Sequence, residues 1–110
     1  MKKSEINISV ELDENNVPEK IRWTAQDGGV KDEPSGAMIL SMWDPKQQNA
    51  MRMDLWTKDM TVDEMKVFFH QTLLTMTDTF ERATGDQRIT GDMRDFCMYF
   101  AERMEILPKK

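Results

Sequence analysis

The chain predicts an α+β fold: a four-stranded antiparallel meander sheet followed by two C-terminal helices packed on one face. Three observations carry this expectation. Apolar and polar residues alternate through the first half, one pair of strands has a register in which the apolar residues match, and the second half carries two apolar stripes at spacings of three and four.

Glu5–Asp13 opens the fold as a half-buried strand, with Ile6, Ile8, Val10 and Leu12 on one side and Glu5, Asn7, Ser9 and Glu11 on the other. Asp13-Glu14-Asn15-Asn16 is turn chemistry, because short polar side chains bond nearby backbone and tolerate left-handed conformations. Pro18 leads a second strand whose Ile21, Trp23 and Ala25 face the core. Gln26–Gly36 holds Gly28-Gly29, Pro34 and Gly36 among charges and is expected to be an exposed loop.

Ala37–Trp43 and Ala50–Thr57 form the third and fourth strands, joined by DPKQQN. If Trp43 lies opposite Ala50, then Met42 meets Met51, Leu40 meets Met53 and Met38 meets Leu55. Every one of these pairs is apolar, which favours that register over a one-residue slip. The other face of the pair then carries Ile39, Ser41, Trp43, Ala50, Arg52, Asp54 and Trp56.

Thr61 and Glu64 match a capping box, and Val62, Met65, Phe69, Leu73, Met76, Phe80 and Ala83 follow as one helical stripe. Gly85 is the expected C-cap. A second helix is read over Ile89–Glu105, with Ile89, Met93, Phe96, Cys97, Phe100, Ala101 and Met104 inward and Pro108 closing the fold.

Length and composition set outer bounds. The 110 residues suit a single domain with a core of moderate size. Charged residues at 32% and a net charge of −5 argue against a nucleic-acid surface, which needs a basic face. Lys2-Lys3 and Lys109-Lys110 read as solvated termini. No apolar run, Ala37–Leu40 and Phe96–Ala101 included, approaches a membrane span, and MKKSE carries no apolar leader. A cytoplasmic location without membrane insertion is therefore expected.

Candidate chemistry is sparse. His70 is the only histidine, and its helical neighbours Lys66, Val67, Leu73 and Leu74 supply no carboxylate or second ligand. Cys97, the only cysteine, falls mid-helix on an apolar stripe and lacks a nearby cation to activate it, so core filling is the expectation. Asp63/Glu64 and Asp92/Asp95 sit in opening helical turns, where negative charge complements the dipole. No metal site, cofactor or catalytic residue is assigned. Eleven methionines are abundant, and Met38, Met42, Met51, Met53, Met65, Met76, Met93 and Met104 are expected to fill the core.

The outer sheet face departs from simple alternation, because Ile39, Trp43 and Trp56 fall on its polar side with Arg52 among them. Tryptophan and arginine are enriched at binding hot spots, and an exposed apolar patch marks an interaction site. These four residues are the candidate partner-binding set. The competing reading folds the Gln26–Gly36 loop over them.

The runs SMWDPK, LWTKDMTVDEMK and FFHQTLLTMTDTFERATG, with the N-terminal KKSEINISVELDENNVPEKIRW, resemble the GldC proteins, small soluble accessory factors of Bacteroidetes gliding motility. The resemblance extends more weakly into the last helix. It implies a process rather than a reaction: an accessory protein, not an enzyme, acting by protein–protein binding, with a gliding-machinery component as the expected partner. A homodimer would suit the patch equally well. The alternative is a small-ligand-binding protein or orphan enzyme with a pocket between sheet and helices, lined by methionines and Trp23.

Overall fold

A computed structural model of the chain describes residues 1–106. Pro108 and Lys109-Lys110 lie outside the described residues. The chain forms two compact units, one over Met1–Met60 and one beginning at Thr61.

The first unit holds five strands: β1 (Ile6–Leu12), β2 (Pro18–Ala25), β3 (Val30–Ser35), β4 (Ala37–Asp44) and β5 (Asn49–Trp56). They form two antiparallel ladders, β1-β2-β3 and β4-β5, in place of the expected four-stranded meander. The difference arises in Gln26–Gly36. Gln26–Gly28 makes one 3-10 turn, Gly29 takes a left-handed conformation at φ 72°, and the chain returns along β2 as β3.

Two devices let a turn-rich segment serve as a strand. Pro34 is tolerated because β3 is an edge strand whose other side needs no ladder bond. Asp32, at φ 49°, absorbs a register shift opposite Trp23–Ala25, and its N–H donates to Thr24 Oγ1 at 2.9 Å.

Gly36 separates the ladders. The Thr57 N–H donates to the Gly36 carbonyl at 2.9 Å, and the Lys58 N–H to that of Pro18 at 3.1 Å. The end of β5 is thereby pinned beside the start of β2. A Cβ on Gly36 would lie 3.0 Å from Met60 Sδ, so a small residue suits this crossing.

The first turn follows its chemistry. Asp13 Oδ1 accepts from the N–H groups of Asn15 (2.8 Å) and Val17 (3.0 Å), and Asn16 takes φ 63°. In β1 and β2 the pairs Ile6–Ala25, Ile8–Trp23 and Val10–Ile21 share one face. Ile21, 2% exposed, is the buried centre of the unit. Beside it Ile8, Trp23, Ser35 and Met38 line a small cavity of about 150 Å³.

The β4–β5 register is the one the apolar pairs require: Met38–Leu55, Leu40–Met53, Met42–Met51 and Trp43–Ala50. Its turn closes through Asp44, whose Oδ1 accepts from Lys46 N–H (2.9 Å) and Gln47 N–H (3.2 Å). Gln48 finishes the loop at φ 55°.

The second unit is a helical hairpin of α1 (Val62–Thr84) and α2 (Gln87–Arg103). The capping box is complete: Thr61 Oγ1 accepts from Glu64 N–H at 3.1 Å, and Thr61 N–H donates to Glu64 Oε1 at 3.0 Å. Gly85 caps α1 at φ 71°. Asp86 caps α2 by accepting from Ile89 N–H at 3.1 Å, which starts that helix at Gln87, ahead of the expected Ile89.

The covered faces follow the expected stripes only in part: in α2 Met93, Cys97, Phe100, Ala101 and Met104 are covered as expected, and in α1 only Met65 and Leu73 are. Thr77, Thr90 and Cys97 are buried, whereas Phe69, Met76, Phe80, Ile89 and Phe96 are exposed. α2 meets the α1 flank that carries His70, Thr77 and Glu81. The His70 ring stacks on Phe100 at 6.2 Å, and Arg94 pairs with Glu81 (2.8 Å) and Asp78 (3.2 Å). Small side chains let the helices approach closely, so the bulky residues stand on the flanks. The core-filling reading of the methionines holds for Met38, Met65, Met93 and Met104, which are half-buried, and is corrected for the other four. Met42, Met51, Met53 and Met76 are all more than half exposed, and the cavity beside Ile21 takes in only Met38 of the methionines.

Candidate interaction surface

Residues opposite each other in an antiparallel ladder share a face. The outer face of the β4–β5 ribbon is therefore four rows: Ala37 with Trp56, Ile39 with Asp54, Ser41 with Arg52, and Trp43 with Ala50. All but Ala37 are exposed. Trp43 is 62% exposed, Trp56 52% and Ile39 42%. On the opposite face Met38, Leu40, Asp44 and Leu55 are half-buried, while Met42, Met51 and Met53 are more than half exposed.

The four expected site residues thus lie on one face, but as a strip rather than a cluster. Six residues of strand separate the Trp56 row from the Trp43 row, a distance of about 20 Å. Ile39 is a diagonal neighbour of Trp56, and Arg52 of Trp43, which leaves two apolar ends around a charged middle. Arg52 and Asp54 take part in none of the ion pairs among the described residues. The Gln26–Gly36 segment, which the competing reading folds over the strip, instead forms β3, paired to β2.

Two recesses have no local sequence signal. Asn16, Val17, Pro18, Leu55, Trp56 and Lys58 line a groove of about 330 Å³ at one end of the strip. It depends on Lys58, whose Nζ reaches Asp13 and Glu19, both at 3.1 Å. These hydrogen-bonded ion pairs raise the Lys58 pKa. The Asp13 pKa is lowered, first by the Val17 N–H and then by Lys58.

The other recess, about 560 Å³, lies on the helical hairpin and is lined by His70, Leu74, Cys97, Met98, Ala101, Glu102 and Ile106. It brings the lone histidine and the lone cysteine to one depression, a juxtaposition that neither helix's own spacing reveals. No group of three His, Cys, Asp or Glu side chains able to hold a metal ion occurs among the described residues. No described helix is long and apolar enough to cross a membrane.

Comparison with known proteins yields one match. No curated protein and no solved structure is similar enough to register. The profile of the family described as "Gliding motility-associated protein GldC-like" matches residues 18–106, from the start of β2 to the last described residue. The chain belongs to the GldC-like family of gliding motility-associated proteins.

Proposed function

We propose that this protein is a non-enzymatic accessory component of the gliding-motility system, acting in the cytoplasm as one module that binds another protein through the outer face of the β4–β5 ribbon. The observation that carries the reading is the exposure of Trp43, Trp56 and Ile39 on one strand-paired face, with Arg52 between them. Large aromatic groups at a water-exposed face gain most when a partner desolvates them.

The test is affinity capture from native lysate with wild type and a Trp43→Ser/Trp56→Ser variant verified as folded by circular dichroism. Retention of a defined protein by wild type and its loss from the variant supports the reading. Equal capture by both rules out this face.

A second reading, small-ligand binding, draws on the hairpin recess, whose size falls within the ordinary range for ligand sites. Titration with an apolar fluorescent probe separates the two. Saturable binding lost on Ala101→Trp, with lysate capture unchanged by the tryptophan substitutions, would favour the ligand.

A further inference from the structure

The outer face of the ribbon matches itself. Its rows run Ala37/Trp56, Ile39/Asp54, Ser41/Arg52, Trp43/Ala50, with the acid and the base in the two central rows and one tryptophan at each end. Consider a two-fold axis lying in the plane of the face, perpendicular to the strands and midway between the central rows. It superposes β5 on β5 and β4 on β4 with their directions reversed. Arg52 then faces the second copy's Asp54, and Asp54 faces its Arg52. Trp56 covers the second copy's Ala50, Trp43 covers its Ala37, and Ile39 lies on its Ser41. Each large side chain meets a small one, and each charge meets its opposite.

We propose that the occupant of this face is the same face of a second copy, docked about that axis. The proposal rests on the reading of the outer face as the binding surface and names its partner. Both charges lack an ion-pair partner among the described residues, so docking supplies two reciprocal pairs without breaking existing ones. Neighbouring registers are disfavoured: moving the axis onto either central row sets arginine against arginine or aspartate against aspartate. A two-fold parallel to the strands also matches tryptophan to alanine, but it lays Asp54 on Ile39 and leaves a carboxylate desolvated without a cation. Charge therefore selects the perpendicular axis. Strand twist brings the central rows closest and spreads the ends, which gives the Arg52–Asp54 rows the most influence.

The face is small. Eight residues of paired strand span roughly 24 Å by 10 Å, less than the roughly 800 Å² per partner of a standard interface. Self-association is accordingly expected to depend on concentration, in the micromolar to millimolar range rather than below it.

The test is sedimentation equilibrium of the full chain from micromolar to millimolar concentration. Wild type is expected to rise from monomer toward dimer mass. Arg52→Asp and Asp54→Arg are each expected to weaken association at least about tenfold, because each sets two like charges face to face in the dimer. The double exchange, Arg52→Asp with Asp54→Arg, is expected to restore it, a rescue that a merely destabilised fold would not show. A constant monomer mass, or a dimer indifferent to the single reversals, overturns the proposal. If the mass stays monomeric while the tryptophan variant still loses a lysate partner, the binding face stands and only the second copy is removed. If neither occurs, both fall.

Discussion

Asp13 and Lys58, 45 residues apart in sequence, meet at 3.1 Å and join the β1–β2 turn to the exit of β5. Asp13 plays two roles from one carboxylate. One oxygen accepts the turn's N–H groups from Asn15 and Val17, and the other receives the ammonium that Glu19 also holds. The two ladders of the first unit are thus tied at the point where Trp56 leaves the outer face.

Asp13→Asn keeps an oxygen for the turn and loses the charge, whereas Asp13→Ala loses both. The alanine variant is expected to have the lower urea midpoint, with asparagine between it and wild type, since exposed ion pairs contribute less than the turn's hydrogen bonds. Equal midpoints for the two variants would show that the turn bonds contribute nothing.

The same residues set the pH response. Asp13 and Glu81 have lowered pKa values, the first chiefly from the Val17 N–H and the second chiefly from Arg94. Protons therefore bind the unfolded chain more readily, and the stabilisation is present at neutral pH. It is lost as pH falls through the folded-state values, below the ordinary carboxylate range. Lys58 is raised by Asp13 and Glu19, so its share is present below the ordinary lysine value and disappears only above it. Urea titrations at stepped pH should show the gap between wild type and Asp13→Asn closing on the acid side and persisting through neutrality.

The helix seam can be probed by size. Cys97 is 2% exposed between the helices, so Cys97→Leu overpacks the seam and is expected to cost about 1–3 kcal/mol. Met76 lies on the exposed flank, and Met76→Gln is expected to change stability by less than about 0.5 kcal/mol. Thermal or denaturant melts of the two variants check the assignment of faces, and a reversed order would refute it.

Two left-handed positions respond in opposite directions. Gly85 caps α1 at φ 71°, so Gly85→Ala is expected to cost about 1 kcal/mol. Glu105 holds φ 59° just after α2, where Ile106 N–H reaches the Ala101 carbonyl at 2.8 Å, the closing bond of a C-terminal cap that favours glycine. Glu105→Gly is expected to gain about 0.5–1 kcal/mol by denaturant melt.

Core and surface separate by the same measurement in the first unit. Ile21→Ala empties its buried centre and is expected to cost about 2–5 kcal/mol, whereas Trp43→Ser acts at a residue that is mostly in water and leaves the melt nearly unchanged. A large loss at Trp43 would place that side chain in a core.

Much of this was open to local reading. The alternation in Ala37–Trp56 determined the β4–β5 register, since a one-residue slip would set Leu40 against Arg52 or Asp54 in place of Met53. Thr61, Glu64 and Gly85 determined where α1 begins and ends, because capping is satisfied within a few residues of the helix terminus. The same alternation set Ile39, Trp43, Arg52 and Trp56 on one face. Tertiary structure decided the rest. β3 exists because β2 offers an open edge to a segment whose Gly28-Gly29, Pro34 and Gly36 signal only turns. Thr77 and Cys97 are buried, and Met76 is not, because close approach of two helices selects small side chains wherever the axes cross. The spread of the tryptophans along a strip, and the reach of Lys58 to Asp13, depend on pairings between distant segments. Local sequence encodes how each segment folds on itself; which segments meet depends on the free energy of the assembled units, to which no single window of the chain has access.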